Sequence, residues 1–177
     1  TQRLIKTLLD ENEFLSPYGI RSLSKKHSSP YTIEIEGANY SIDYEPAEST
    51  VPLFGGNSNW RGPVWFPMNY LFIKSLREYF SYCKNEFNME FPTGAGPTLG
   101  LDEISNKLSK RLISIFQKNE NGKRPVHALN EDIYKTEDFN DLILFYEYFH
   151  GDNGRGVGAS HQTGWTALVA NLIEEMT

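Results

Sequence analysis

Apolar residues fall at helical spacing in several separate stretches of the chain. Leu4, Ile5, Leu8 and Leu9 predict a short helix over residues 2–11. From Val64 to Tyr82 the series Trp65, Met68, Leu71, Phe72, Leu76, Tyr79 and Phe80 predicts a longer one. Pro63 is placed there as a first-turn proline, and Pro67 falls early enough to be tolerated. Leu101 to Gln117 reads as another helix, with Ile104, Leu108, Leu112, Ile113 and Phe116 on one side. A last helix is expected from Gly164 to Met176, capped by Thr163. Strand-like alternation runs from Tyr31 to Glu36 and from Tyr40 to Tyr44, with Gly37-Ala38-Asn39 turning between them.

Between these elements lie long loops: residues 46–62, 85–99 and 118–130, and the four-glycine run Gly151 to Gly158. Loops of that length inside a compact domain are usually functional or disordered, and the Trp and Gly spaced through 46–62 favour function. Helices separated by glycine-rich, aromatic loops suit a helical toroid, whose loops gather at one end to form a site. No internal repeat is visible.

Composition narrows the choice. A chain of 177 residues supports one domain with a real core. A formal charge of -6 argues against a nucleic-acid partner. No apolar run of about 18 residues occurs, so no membrane span is read. The one cysteine, Cys83, ends a predicted helix; it excludes an internal disulfide and reads as a buried or incidental thiol. The chain opens inside an amphipathic pattern without Met, as a fragment or processed product would. His27, His127, His150 and His161 show no metal-ligand spacing, and no hydrolase elbow, P-loop or dinucleotide fingerprint is present. Neither a metal nor a cofactor is expected.

Chemistry concentrates in a few segments. Gly55-Gly56-Asn57-Ser58-Asn59-Trp60-Arg61-Gly62-Pro63-Val64-Trp65 mixes indoles, a guanidinium, amides and glycines. That vocabulary suits a flat, hydroxyl-rich ligand such as a sugar; it also suits a glycine loop closing onto a helix with Trp65 in the core. Glu147 lies in Leu142 to Asp152 with aromatics on both sides. Burial among aromatics raises a carboxyl pKa unless hydrogen bonds offset it, and such a group suits acid or base work. The bland alternative is a glutamate at an element's edge. Glu45 and Glu48 are the other carboxylates in a plausible place, or else solvated or capping acids. Asp152 and Arg155 are placed to pair and hold the glycine loop. In Gly158 to Thr166, His161 and Gln162 can meet sugar hydroxyls and Trp165 can stack, unless the segment is only a helix start with a buried Trp.

At Phe14 to Ser24, Tyr44 to Ser49, Gly55 to Tyr70 and Tyr146 to Trp165 the chain resembles the C-terminal part of a glycoside hydrolase family 63 protein. The likeness is closer to the bacterial and fungal family-63-like enzymes than to the processing α-glucosidase I. Its most specific parts are Trp60-Arg61-Gly62-Pro63-x-Trp65 with Asn69-Tyr70-Leu71, and His161-Gln162-Thr163-Gly164-Trp165-Thr166. The resemblance implies a mainly α fold, the C-terminal portion of an (α/α)6 barrel with long loops and a short β-hairpin, covering residues 1–177. It implies hydrolysis of an α-glycosidic bond with inversion, with Glu147 as general base. Trp60, Arg61, Gly62, Trp65, Asn69, His161, Gln162 and Trp165 become substrate-binding candidates.

The family's general acid, an aspartate in the N-terminal half of the barrel, has no match in this chain. Inversion needs two carboxyls about 6.5–9.5 Å apart, so these residues alone are expected to be nearly inactive. The expected partners are an oligosaccharide, the N-terminal remainder of the catalytic domain, and a second copy that covers apolar helix faces. Two other readings compete. One is a non-catalytic carbohydrate-binding module using a Trp60/Trp65 platform. The other is a structural domain whose aromatics are all core.

Overall fold

The computed structural model describes residues 1–52, 58–83, 87–128 and 131–177. Gly55, Gly56 and Asn57 of the Trp-Arg segment lie outside the described residues. In chain order the elements are α1 (Gln2–Leu8), β1 (Leu15–Ser16), β2 (Gly19–Ile20), β3 (Tyr31–Ile35), β4 (Ala38–Ile42), α2 (Phe66–Cys83), β5 (Asn88–Glu90), β6 (Thr98–Gly100), α3 (Leu101–Ser114), β7 (Tyr148–Phe149), β8 (Gly156–Val157), α4 (Thr163–Thr166) and α5 (Val169–Glu174). The strands pair as antiparallel hairpins: β1 with β2, β3 with β4, β5 with β6, β7 with β8.

The content is thus helices plus small two-stranded sheets, where the sequence predicts a mainly α chain with one hairpin. Of the added strands, β5, most of β6 and β8 fall in segments read as loops, and β1, β2 and β7 fall where the sequence predicts no element, because strands of two or three residues carry too few positions to show alternation. The predicted hairpin is present with a tighter turn. Ile35 faces Ala38, and Glu36 and Gly37 (φ 51° and 79°) make the two-residue connection that matches strand twist. Ala38 and Asn39 therefore belong to β4 rather than to the turn.

Of the two long helices, α3 buries its predicted stripe, whereas α2, apolar on more than one side, buries a partly different face and leaves Met68, Leu71 and Tyr79 exposed. On α2, Phe66, Asn69, Ile73 and Leu76 are buried. On α3, Leu101, Ile104, Ser105, Leu108, Ser109, Leu112 and Ile113 are buried. Asp102 and Glu103 occupy the first turn of α3, where negative charge meets the positive end of the helix dipole, and Glu103 accepts the Gly100 N–H at 3.2 Å. Pro63 is not in the first turn of α2. The intervening Val64 is extended, bridging Arg21 on one side and Phe149 on the other. Pro67 holds the first-turn place instead, where a missing N–H costs no helical bond.

The last helix is divided, α4 ending before Ala167 and α5 beginning after Leu168. Thr163 is the first residue of α4, not its cap; Gln162 stands at the N-cap position without a side-chain bond. Phe66, Phe116 and Phe149 meet edge to face at 5.6–6.4 Å in the middle of the core. That packing pins β7 against α2 and so sets the position of Glu147, one residue before β7.

Candidate active site

Glu147 lies on a cavity of about 350 Å³ lined with Glu48, Ser49, Tyr148, Gly158 and Ala159. Its carboxylate is held from two sides. The Ser58 hydroxyl donates to Oε1 at 2.6 Å, and the Ala159 N–H reaches Oε2 at 3.4 Å. The Glu147 N–H donates in turn to the Ala159 carbonyl at 2.8 Å, so the two backbones are locked in register. Gly158 has φ 74°, and a Cβ there would stand 2.7 Å from Glu147 Oε2. Only glycine lets the β7–β8 segment pass so close to the carboxylate.

Glu48 stands on the same cavity and also on a neighbouring one of about 180 Å³ lined by His127, Tyr146 and Arg155. Arg155 Nη1 donates to Glu48 Oε1 at 3.0 Å and Nη2 donates to Oε2. Arg155 holds the Glu48 carboxyl below the usual carboxylate range by this bond, with burial opposing. The expected Asp152–Arg155 pair is not made. Asp152 instead accepts from Arg21 at 3.0 Å and lies 3.4 Å from Lys25. Burial pushes the phenol of Tyr44, hydrogen-bonded to Arg21 at 3.0 Å, up to about 12.

The Trp-Arg segment forms an aromatic stack rather than a bare platform. Trp60 and Trp65 lie stacked, their ring centroids 4.0 Å apart and their planes within 2° of parallel. Tyr148 stacks on Trp65 at 4.8 Å, and Trp165 meets it edge-on at 6.2 Å. Trp65 is buried, and its indole N–H donates to the Asn59 carbonyl at 3.0 Å. Trp60 keeps 39% of its surface exposed and Trp165 keeps 38%. With Asn69, Trp60 and Trp65 line an apolar cleft of about 360 Å³ beside Leu8, Phe14, Met68 and Phe72, separate from the Glu147 cavity. Tyr148 links the two, since it lines the Glu147 cavity and stacks on Trp65.

Arg61, Gly62 and Asn69 are engaged with protein. The buried Arg61 guanidinium pairs with Asp43 at 2.8 Å and with Glu45, and donates to Ser49 at 2.9 Å. The Gly62 N–H donates to Ser22 at 3.1 Å. Asn69 clamps β2, accepting the Ile20 N–H at 2.6 Å and donating to the Ile20 carbonyl at 3.0 Å. His161 and Gln162 are exposed. Their backbones run beside Phe145, with the Gln162 N–H donating to the Phe145 carbonyl at 2.8 Å.

The structure therefore brings Glu147 together with Glu48, and Trp60 with Trp65, Trp165 and Asn69. Ser58, Gly158 and Ala159 were not among the sequence candidates. Ser58 lies inside the Trp-Arg segment, but nothing in its spacing ties it to a glutamate so distant in the chain. Among the described residues, no group of three or more His, Cys, Asp or Glu is placed to hold a metal. No helix among them is long and apolar enough to cross a membrane.

The model of the glycosyl hydrolase family 63 C-terminal domain matches residues 1–175. An uncharacterized protein of Saccharomyces cerevisiae is 47% identical over 98% of this chain and 16% of its own length. The mannosyl-oligosaccharide glucosidase of the same yeast is 28% identical over 97% of this chain and 15% of its own. A probable mannosyl-oligosaccharide glucosidase of Schizosaccharomyces pombe is likewise 28% identical, over 97% of this chain and 15% of its own. The chain spans about one sixth of the length of these curated relatives.

Proposed function

The chain belongs to glycosyl hydrolase family 63, and from that premise we propose that it supplies the general base and one wall of the sugar cleft of an inverting α-glycosidase acting on α-linked gluco- or manno-oligosaccharides. The observation that carries this reading is the Glu147 carboxylate, open to a 350 Å³ cavity and fixed by Ser58 and the Ala159 N–H. A general base needs an ionised oxygen with a lone pair aimed at water, in a fixed place. Donors on both oxygens meet the second requirement, and the cavity leaves room for water and a sugar.

In this mechanism Glu147 takes a proton from a water molecule as that water attacks the anomeric carbon from the face opposite the leaving group. A second carboxyl protonates the departing oxygen. Glu48 is unsuited to that task, because Arg155 keeps it ionised at neutral pH. The acid is assigned to the N-terminal remainder of the catalytic domain, which would complete an (α/α)6 barrel around this segment. Trp60 offers its exposed face to sugar or to that remainder, and His161, Gln162 and Trp165 lie where an incoming chain can reach them. Arg61, Gly62 and Asn69 act indirectly, by holding the loops that carry Ser58 and the tryptophans.

The test is Glu147→Gln in the full-length protein, with hydrolysis of α-linked gluco- and manno-oligosaccharides followed by NMR at the anomeric proton. Wild type is expected to release the β-anomer first, and the variant to lose at least about a hundredfold in rate. Unchanged hydrolysis in the variant would remove Glu147 from the mechanism. Sugar binding without turnover in either protein would favour a carbohydrate-binding module, a reading that the exposed face of Trp60 supports.

A further inference from the structure

Glu45 to Ser49 is a short segment whose members are almost all engaged inward. Glu45 pairs with Arg61, the Pro46 carbonyl accepts the Gly151 N–H at 2.8 Å, and the Ala47 carbonyl accepts from Asn59 at 2.7 Å. Ser49 accepts from Arg61 at 2.9 Å. Glu48 differs. Its side chain is 60% exposed and borders both polar cavities, while its partner Arg155 is only 12% exposed. Arg155 is itself set by the turn between β7 and β8: its N–H donates to Asn153 Oδ1 at 3.1 Å, and its carbonyl accepts the His150 N–H at 2.9 Å.

The Glu48–Arg155 pair is not what joins these loops, since Gly151 to Pro46 already does so. A pair with one partner so exposed adds little to stability. What the two-point contact does fix is the plane of the Glu48 carboxylate. An ionised carboxylate has about four acceptor positions, and Arg155 takes one on each oxygen. The Glu48 N–H takes a further one, and what is left points away from the guanidinium. An oriented, charged acceptor at the rim of the cavity matches one hydroxyl of a pyranose.

We propose that Glu48, aimed by Arg155, reads one hydroxyl on the sugar bound beside Glu147, and so helps to determine which sugar the cleft accepts. Glu48 is the recognition residue and Arg155 its positioning residue. The proposal rests on the reading of the Glu147 cavity as the sugar cleft.

The experiment measures kcat/KM in the full-length protein for its best α-glucoside or α-mannoside and for the 2-, 3-, 4- and 6-deoxy analogues. Wild type, Glu48→Gln and Arg155→Lys are compared. Wild type is expected to lose about tenfold on one of the four analogues, as for a hydrogen bond to a charged acceptor. Glu48→Gln is expected to lose a similar factor on the parent sugar and little more on that same analogue. Arg155→Lys should weaken that one penalty in part and leave the others intact. A uniform loss across all sugars in Glu48→Gln, with every deoxy penalty preserved, would overturn the proposal and make the pair structural.

If Glu48→Gln does not fold, Glu48→Asp answers on the same panel, since it keeps the charge and withdraws the oxygens. Glu147→Gln is run alongside. Inactivity there with a uniform Glu48→Gln loss sinks this proposal alone, whereas full activity in Glu147→Gln, or no hydrolysis by wild type, sinks the cleft reading beneath it.

Discussion

Ser58 and Glu147 are 89 residues apart in the chain, and the Ser58 hydroxyl donates to Glu147 Oε1 at 2.6 Å. The contact joins the Trp-Arg segment to the glycine-rich hairpin at the carboxylate itself. It has a directional consequence. With Ser58 on Oε1 and the Ala159 N–H on Oε2, the carboxylate cannot rotate without losing both donors.

Ser58→Ala is therefore expected to lower kcat by about tenfold with KM within about twofold, the cost of removing one hydrogen bond to a charged acceptor. Steady-state kinetics on the full-length protein checks it. A rise in KM with kcat unchanged would mean that Ser58 shapes the cleft without orienting the base.

The two stacked tryptophans are expected to separate stability from binding. Trp65 is buried between Trp60 and Tyr148, so Trp65→Ala should cost about 3–5 kcal/mol of stability. Trp60 has an exposed face, so Trp60→Ala should cost about 1 kcal/mol or less and show its main effect in sugar affinity. Denaturant midpoints and fluorescence titration with glucosides and mannosides measure the two effects. If Trp60→Ala proves the more destabilising, the assignment of core and surface between them is reversed.

These cases show what the sequence made legible and what it did not. The stripe of α3 repeats over several turns, and its buried face is the one the spacing predicts; α2 is apolar on more than one side, and it buries Phe66, Asn69, Ile73 and Leu76 while Met68, Leu71 and Tyr79 of the predicted stripe stay exposed. Glu147 stands out because carboxylates are seldom ringed by Phe and Tyr in the chain itself. Trp60, Arg61, Trp65 and Asn69 look alike as candidates because a sugar cleft and a buried polar clamp use the same side chains. Which indole faces solvent, and whether a guanidinium meets Glu45 or a ligand, depends on where residues 43–49 return in space. No local period encodes that return. The same holds for Ser58 with Glu147 and for Arg155, whose partner is Glu48 rather than its near neighbour Asp152.

Arg61 tests the clamp directly. It is buried against Asp43, Glu45 and Ser49, and Glu45 is itself buried. Arg61→Met leaves the Glu45 carboxylate in the interior without its cation, which typically costs about 3–5 kcal/mol. The expected result is a large fall in the urea midpoint. Replacing Glu45 with Gln in the same chain should recover part of the loss, because the stranded charge is gone. A double variant no more stable than Arg61→Met would place the loss in packing instead.

His127 gives the structure a pH dependence whose sign can be worked out. Its ring is 5% exposed and stacks on Tyr134 at 3.7 Å. Burial, and then the Arg124 charge, push its pKa below the ordinary histidine value, while a hydrogen bond to the Leu142 backbone opposes them in part. In the unfolded chain the imidazole titrates near about 6.5. As pH falls through that value the unfolded state takes up a proton that the folded state refuses, so stability declines and levels off only below the folded pKa. His150, lowered first by burial and then by Arg155, acts in the same direction. Asp152 acts lower still. Burial raises its carboxyl, but Arg21 and Lys25 outweigh it and leave the pKa depressed, so its contribution is lost only as pH drops below about 4. The melting temperature should therefore fall as pH is taken from about 7 to about 5, and His127→Gln should flatten that slope while lowering the value at pH 7. Thermal melts at closely spaced pH values decide it: an unchanged slope in His127→Gln would mean that the His127 ring takes up its proton as readily folded as unfolded.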